Sequence, residues 1–180
     1  MLAIWRTACW LVGWVLLNAG TASAITTGGV ASASAWYNAD NVPANAFNGD
    51  PVTYGWGNAG ALPSWLRYDF NTPKAVTNYY FYCSAGQVGG WAGGYNPKTW
   101  TFEGSDDGAG WTTLDTKINQ TLSDNTWYYF PIANTTAYLK YRINITVSGP
   151  IVSGWVHITE LELPYLVGPV ISNSPAVSVT

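Results

Sequence analysis

The sequence predicts an all-β domain, a sandwich or barrel of short antiparallel strands, and three observations carry that prediction. Turn-forming Gly (19) and Pro (10) are frequent in a chain of 180 residues, which suits many short strands joined by tight turns. Residues 137–147 alternate strictly: Leu139, Tyr141, Ile143, Ile145 and Val147 against Tyr138, Lys140, Arg142, Asn144 and Thr146. Period two over such a length marks a half-buried antiparallel strand. Outside the first residues, no run of ten sustains helical spacing.

Taken in order, Met1–Ala24 reads as a secretory signal peptide. Arg6 precedes an apolar run, Ala8–Leu17, and Ala22-Ser23-Ala24 offers small residues for cleavage. That run is short for a membrane span, which needs roughly 20 apolar residues. Residues 25–165 form the expected domain, with strands over 31–36, 65–70, 74–84, 98–104, 111–117, 126–132, 137–147 and 155–163. Ser105-Asp106-Asp107-Gly108 supplies a turn between two of them. In 155–163, Val156 and Ile158 share one parity while Leu161 and Leu163 share the other. That predicts a β-bulge near Thr159-Glu160, with Glu160 re-aimed. Residues 166–180 read as an extended C-terminal tail.

Composition excludes several functions. Seven Lys and Arg against ten Asp and Glu give a net charge of −3, so no nucleic-acid partner is expected. Membrane lipid is disfavoured, because the loops carry few cations for anionic headgroups; Lys140 and Arg142 read as a solvated strand face. Cleavage would remove Cys9 and leave Cys83 as a buried free thiol in an apolar strand. His157 stands alone, expected at the surface or an interface, with no nucleophile beside it. An enzyme is therefore not expected.

Aromatics make up 16% of the chain, including 11 Trp and 12 Tyr, more than a core of this size needs. Many fall at strand ends: Trp36-Tyr37, Tyr54, Trp56, Trp91, Tyr95 and Trp155. Trp56 and Trp65 read as structural. Gln87 to Asn96 is a Gly-rich loop carrying Trp91 and Tyr95. Sugar rings stack their C–H faces on flat aromatics, and their hydroxyls bond to amides. Trp36, Tyr37, Gln87, Trp91, Tyr95 and Asn96 are thus the candidate carbohydrate-binding residues. Separately, Asn48, Asp50 and Thr53 crowd oxygens around Gly49, and Glu160 could add a carboxylate. Hard cations such as calcium seek such oxygens, although Asn-Gly-Asp also reads as an Asx turn needing no metal.

Six segments in order resemble the discoidin family, the coagulation factor V/VIII C-type domains among the galactose-binding-like jelly rolls. They are Ala44–Asp50, Trp65–Phe70, Pro97–Gly108, Trp111–Leu114, Tyr141–Ile145 and Ile158–Leu163. The resemblance covers about residues 30–165. It implies an eight-stranded antiparallel jelly-roll β-sandwich whose end loops bind glycans, with Trp36-Tyr37 in the first loop. It also implies a structural Ca2+ held by the Ala46 carbonyl and Glu160, with Asn48 standing where many members have Asp. The function expected is a non-catalytic, secreted module binding a glycan or glycoconjugate on a cell surface. The alternative is a structural surface or virion protein, of the phage tail or capsid decoration type. That protein would use the sandwich for adhesion, as a homo-oligomer or on a larger particle.

Overall fold

The computed structural model describes residues 26–84, 94–149 and 154–166; the expected signal peptide, Gln87, Trp91 and most of the tail lie outside them. The chain forms β1 (Gly29–Ala33), a 3-10 helix (Pro43–Phe47), β2 (Trp56–Gly57), β3 (Ser64–Lys74) and β4 (Asn78–Cys83). It continues through β5 (Pro97–Ser105), β6 (Thr112–Lys117), β7 (Thr126–Pro131), β8 (Tyr138–Ser148), β9 (His157–Ile158) and β10 (Glu160–Glu162). A five-stranded sheet in the order β1-β3-β8-β5-β6 packs against a three-stranded sheet, β10-β4-β7, while β2 and β9 form a small third ladder. Every ladder is antiparallel, as the alternating patterns predict. Among the described residues no helix is long and apolar enough to cross a membrane.

Aromatic side chains join the two layers. Tyr79 of β4 stacks on Phe102 of β5 at 4.3 Å, and Phe81 meets Trp100 edge-on at 5.4 Å. The Trp100 indole donates to the Tyr79 hydroxyl at 2.9 Å, which itself donates to Asp115 at 2.8 Å. Both polar atoms brought inside are therefore satisfied. Part of the aromatic excess is core filling. Tyr141, Ile143 and Ile145 of β8 point inward as their parity predicts, and Cys83 is a buried free thiol.

Two expectations need correction. The segment expected to form one strand over 74–84 divides: Lys74 ends β3, and β4 begins at Asn78. The strand expected over 155–163 also divides, but by changing partners rather than by bulging within one ladder. Ile158 pairs with Trp56 of β2, whereas Glu160 pairs with Tyr82 of β4. At the junction the Thr159 amide donates to the Tyr82 carbonyl at 2.8 Å, and its hydroxyl accepts from the Ser84 amide at 2.9 Å. The parity switch was real; its cause is a strand passing from one sheet to another. Gly55 makes room for the crossing, because a Cβ there would lie 2.2 Å from Thr159 Cα.

Candidate functional site

Antiparallel pairing brings several connections to one end of the sandwich. The β1 exit lies beside the β3 entry, where the Ser34 amide donates to the Trp65 carbonyl at 3.0 Å. The β8 exit pairs with the β5 entry at Ser148 and Pro97, and the β4 exit pairs with the β7 entry at Cys83 and Thr126. Across this end runs a lateral chain of backbone contacts. The Tyr37 amide donates to Gly57 at 2.9 Å, Gly57 pairs with His157, and the His157 amide donates to Tyr95 at 3.0 Å. Three strand spacings put Tyr37 and Tyr95 roughly 14 Å apart along the backbone.

Trp36 and Tyr37 are 50% and 51% exposed, beyond the end of β1. Tyr37 packs edge to face on Trp155, with ring centroids 5.0 Å apart. Trp155 is held by a device invisible in the candidate residues: the fully buried Asn58. Its amide donates to the carbonyls of Ala61 (2.9 Å) and Gly154 (2.8 Å), and its oxygen accepts from the amides of Val156 (3.0 Å) and Gly60 (3.3 Å). Gly60 adopts φ +82°, and a Cβ there would lie 2.7 Å from the Trp155 indole nitrogen. Only glycine both takes that backbone conformation and lets the ring lie so close. Asn58-Ala59-Gly60 is an Asx-Gly turn signal, the clue that could have exposed this clamp. A hollow of about 700 Å³ opens beside it, lined by Gly60, Ala61, Leu62, Thr146, Ser148 and Gly154 among others.

The remaining candidates fall in different places. Tyr95 is half-buried at this end, while Gln87 and Trp91 lie outside the described residues. Asn96 is a correction: it is buried, and its amide donates to Leu122 (3.1 Å) and Asp124 (3.0 Å). That commits its donors to tying the loop down rather than to a ligand. Trp56 is buried as expected, its indole donating to the Ala35 carbonyl at 2.9 Å. His157, expected at a surface or interface, is buried, and burial pulls its pKa down to about 4. The imidazole is therefore neutral at neutral pH.

The residues expected to hold a cation lie in the loop that meets Glu160 through Gly49. The Gly49 amide donates to the Glu160 carboxylate at 3.2 Å, and burial pushes that carboxyl up to about 7. No Lys or Arg pairs with it among the described residues. Ala46 is fully buried in the adjoining 3-10 helix. Asn48 accepts from the Asp50 amide at 2.8 Å. Asp50 accepts from the Thr53 hydroxyl (2.7 Å) and from the Val52 and Thr53 amides (2.9 and 3.3 Å). Those bonds hold the Asp50 carboxyl below its usual range. The Asx turn is thus present in its own right. Among the described residues no three His, Cys, Asp or Glu side chains gather as metal ligands. A cation here would rely on Glu160 together with amide, hydroxyl and carbonyl oxygens, a donor set that suits a hard ion.

On the outer face of the five-stranded sheet the cations are paired. Lys140 bonds Asp69 at 3.0 Å, Arg67 bonds the same carboxylate at 2.8 Å, and Arg142 pairs with Glu103 while lying over the Trp111 ring. A face so neutralised leaves little charge for phosphate or lipid headgroups.

The family model of the F5/8 type C domain matches residues 23–161. No curated protein matches the chain. Among solved structures, the F5/8 type C domain of a Bacteroides fragilis protein is 18% identical, with a TM-score of 0.64; the match covers 81% of this chain and 97% of that one. Chitosan-binding module 1, from a chitosanase/glucanase of Paenibacillus sp. IK-5, is 22% identical with a TM-score of 0.62, covering 79% and 98%. A family 32 carbohydrate-binding module of Clostridium perfringens, in complex with galactose, is 14% identical with a TM-score of 0.61, covering 76% and 93%. At such identities the likeness is one of fold.

Proposed function

The chain belongs to the F5/8 type C domain family, and on that premise we propose that it is a non-catalytic carbohydrate-binding module whose end loops grip a glycan. The observation that carries this reading is the half-exposed Trp36 and Tyr37, the latter packed on Trp155 beside the Asn58 clamp. A sugar's C–H face stacks on such rings while its hydroxyls bond at their rim. The fixed clamp lowers the ordering cost of binding. The fold relatives include modules whose ligands are galactose and chitosan, which supports the same class of partner. Single-site affinity would be modest and raised by repetition on a surface.

Secretion follows from the Met1–Ala24 pattern as part of this proposal. So does a structural calcium at Glu160, with Ala46, Asn48, Asp50 and Thr53 supplying further oxygens. When bound, the ion would neutralise a buried carboxylate and fasten the loop to β10. The test of function is a glycan panel with galactose and N-acetylgalactosamine, read by calorimetry. Binding that falls in Trp36→Ala and Tyr37→Ala, with melting unchanged, supports the reading. No binding to any glycan, or binding indifferent to both rings, overturns it.

A further inference from the structure

The outer side of an antiparallel sheet that faces water ordinarily carries polar or charged residues. The three-stranded sheet does otherwise. Register sets Glu160, Tyr82 and Trp127 in one cross-strand row, and Glu162, Tyr80 and Tyr129 in the next. The rings pair across β4 and β7: Tyr80 with Tyr129 at 4.9 Å, Tyr82 with Trp127 at 5.4 Å. Trp127 is 41% exposed and Tyr129 53%. The two rows stand about 6.8 Å apart along the strands, so the four rings make one continuous aromatic surface.

Its charge is one-sided. The outer positions of β4, β7 and β10 hold no Lys or Arg. Glu162 borders the rings directly opposite Tyr80 and forms no ion pair among the described residues. An anionic partner would meet an uncompensated carboxylate. A second copy of the same face would bring two such carboxylates together with no cation between them. A cation, by contrast, gains from both the carboxylate and the ring faces.

We propose that this sheet face is a second carbohydrate site, taking a chain of unacetylated amino sugars, with Tyr80, Tyr82, Trp127 and Tyr129 as the stacking platform and Glu162 as the counter-charge to a protonated amine. Tyrosine hydroxyls at the rim add bonds to sugar hydroxyls. This site stands apart from the end loops and does not depend on them.

The experiment titrates the full chain with a glucosamine pentamer and with its N-acetylated counterpart, in slightly acidic buffer, by calorimetry. The glucosamine pentamer should still bind a Trp36→Ala/Tyr37→Ala double variant. Affinity should fall at least tenfold in Trp127→Ala and in Tyr129→Ala, whose exposed positions leave melting unchanged. Glu162→Gln should erase the preference for the free amine over the acetylated sugar while retaining stacking. The proposal is overturned if the double end-loop variant alone abolishes binding, or if the sheet-face variants bind as the parent does. It is equally overturned if the pentamer does not bind, including the case where sedimentation shows a dimer that Trp127→Ala dissolves. Failure of the end-loop reading is separate: it would appear as galactose binding indifferent to Trp36 and Tyr37.

Discussion

The ring of Tyr37 meets the ring of Trp155 edge to face, with centroids 5.0 Å apart and planes at 69°. Two loops more than a hundred residues apart in sequence thereby present one aromatic surface at the sandwich end. If that surface stacks on sugar, Tyr37→Phe should keep most of the affinity, and Tyr37→Ala should lose roughly tenfold, about 1.4 kcal/mol. Both should melt close to the parent, because exposed substitutions usually fall within about 0.5 kcal/mol. Titration followed by tryptophan fluorescence checks both.

Asn58 is expected to matter for stability and binding alike. Asn58→Ala removes four bonds, two that tie it to Gly154 and Val156 and two within 58–61, leaving buried backbone groups unpaired at a cost of roughly 2–3 kcal/mol. Asn58→Asp keeps the acceptor but loses both donors, so it should also destabilise. Denaturant unfolding gives the energies, and a parallel loss of glycan affinity would tie the clamp to the site.

His157 sets an acid limit. Its folded pKa of about 4 lies below the ordinary 6.5 because burial disfavours the charged ring. Between those values the unfolded chain binds a proton that the folded chain does not. Stability should thus fall as pH drops from about 6.5 to about 4, with no contribution above that window. The full loss is on the order of 3 kcal/mol. His157→Gln should flatten this part of the pH–melting curve, and an unchanged slope would contradict the assignment.

Calcium, if held by Glu160, stabilises only the folded chain. A hundredfold excess over Kd adds about 2.7 kcal/mol, a shift of several degrees in Tm. Melting with calcium and then with EDTA should differ by that amount, and Glu160→Gln should abolish the difference. Equal melting in both buffers would remove calcium from the account.

Much of the architecture was legible along the chain. The alternation through Tyr141, Ile143 and Ile145 gave β8 its buried face, and the parity switch before Leu161 flagged an event at Thr159. The site was legible only in part. Trp36 and Tyr37 lie beyond a strand end and are exposed, as their position suggests. Asn96 looked equally available but spends its donors on Leu122 and Asp124, partners that no local pattern names.

Periodicity and turn chemistry act between near neighbours, so the sequence by itself determined the antiparallel strands, the turns between them and the aromatic supply. Which rings would face water was decided by tertiary structure. Tyr79-Tyr80-Phe81-Tyr82 is apolar or aromatic on both parities, and only the stacking of Tyr79 on Phe102 assigns one side to the core. The clamp of Asn58 on Gly154 and the contact of Gly49 with Glu160 span 96 and 111 positions. Such pairings exist only once the sheets have packed, because burial and register, rather than local preference, choose the partners.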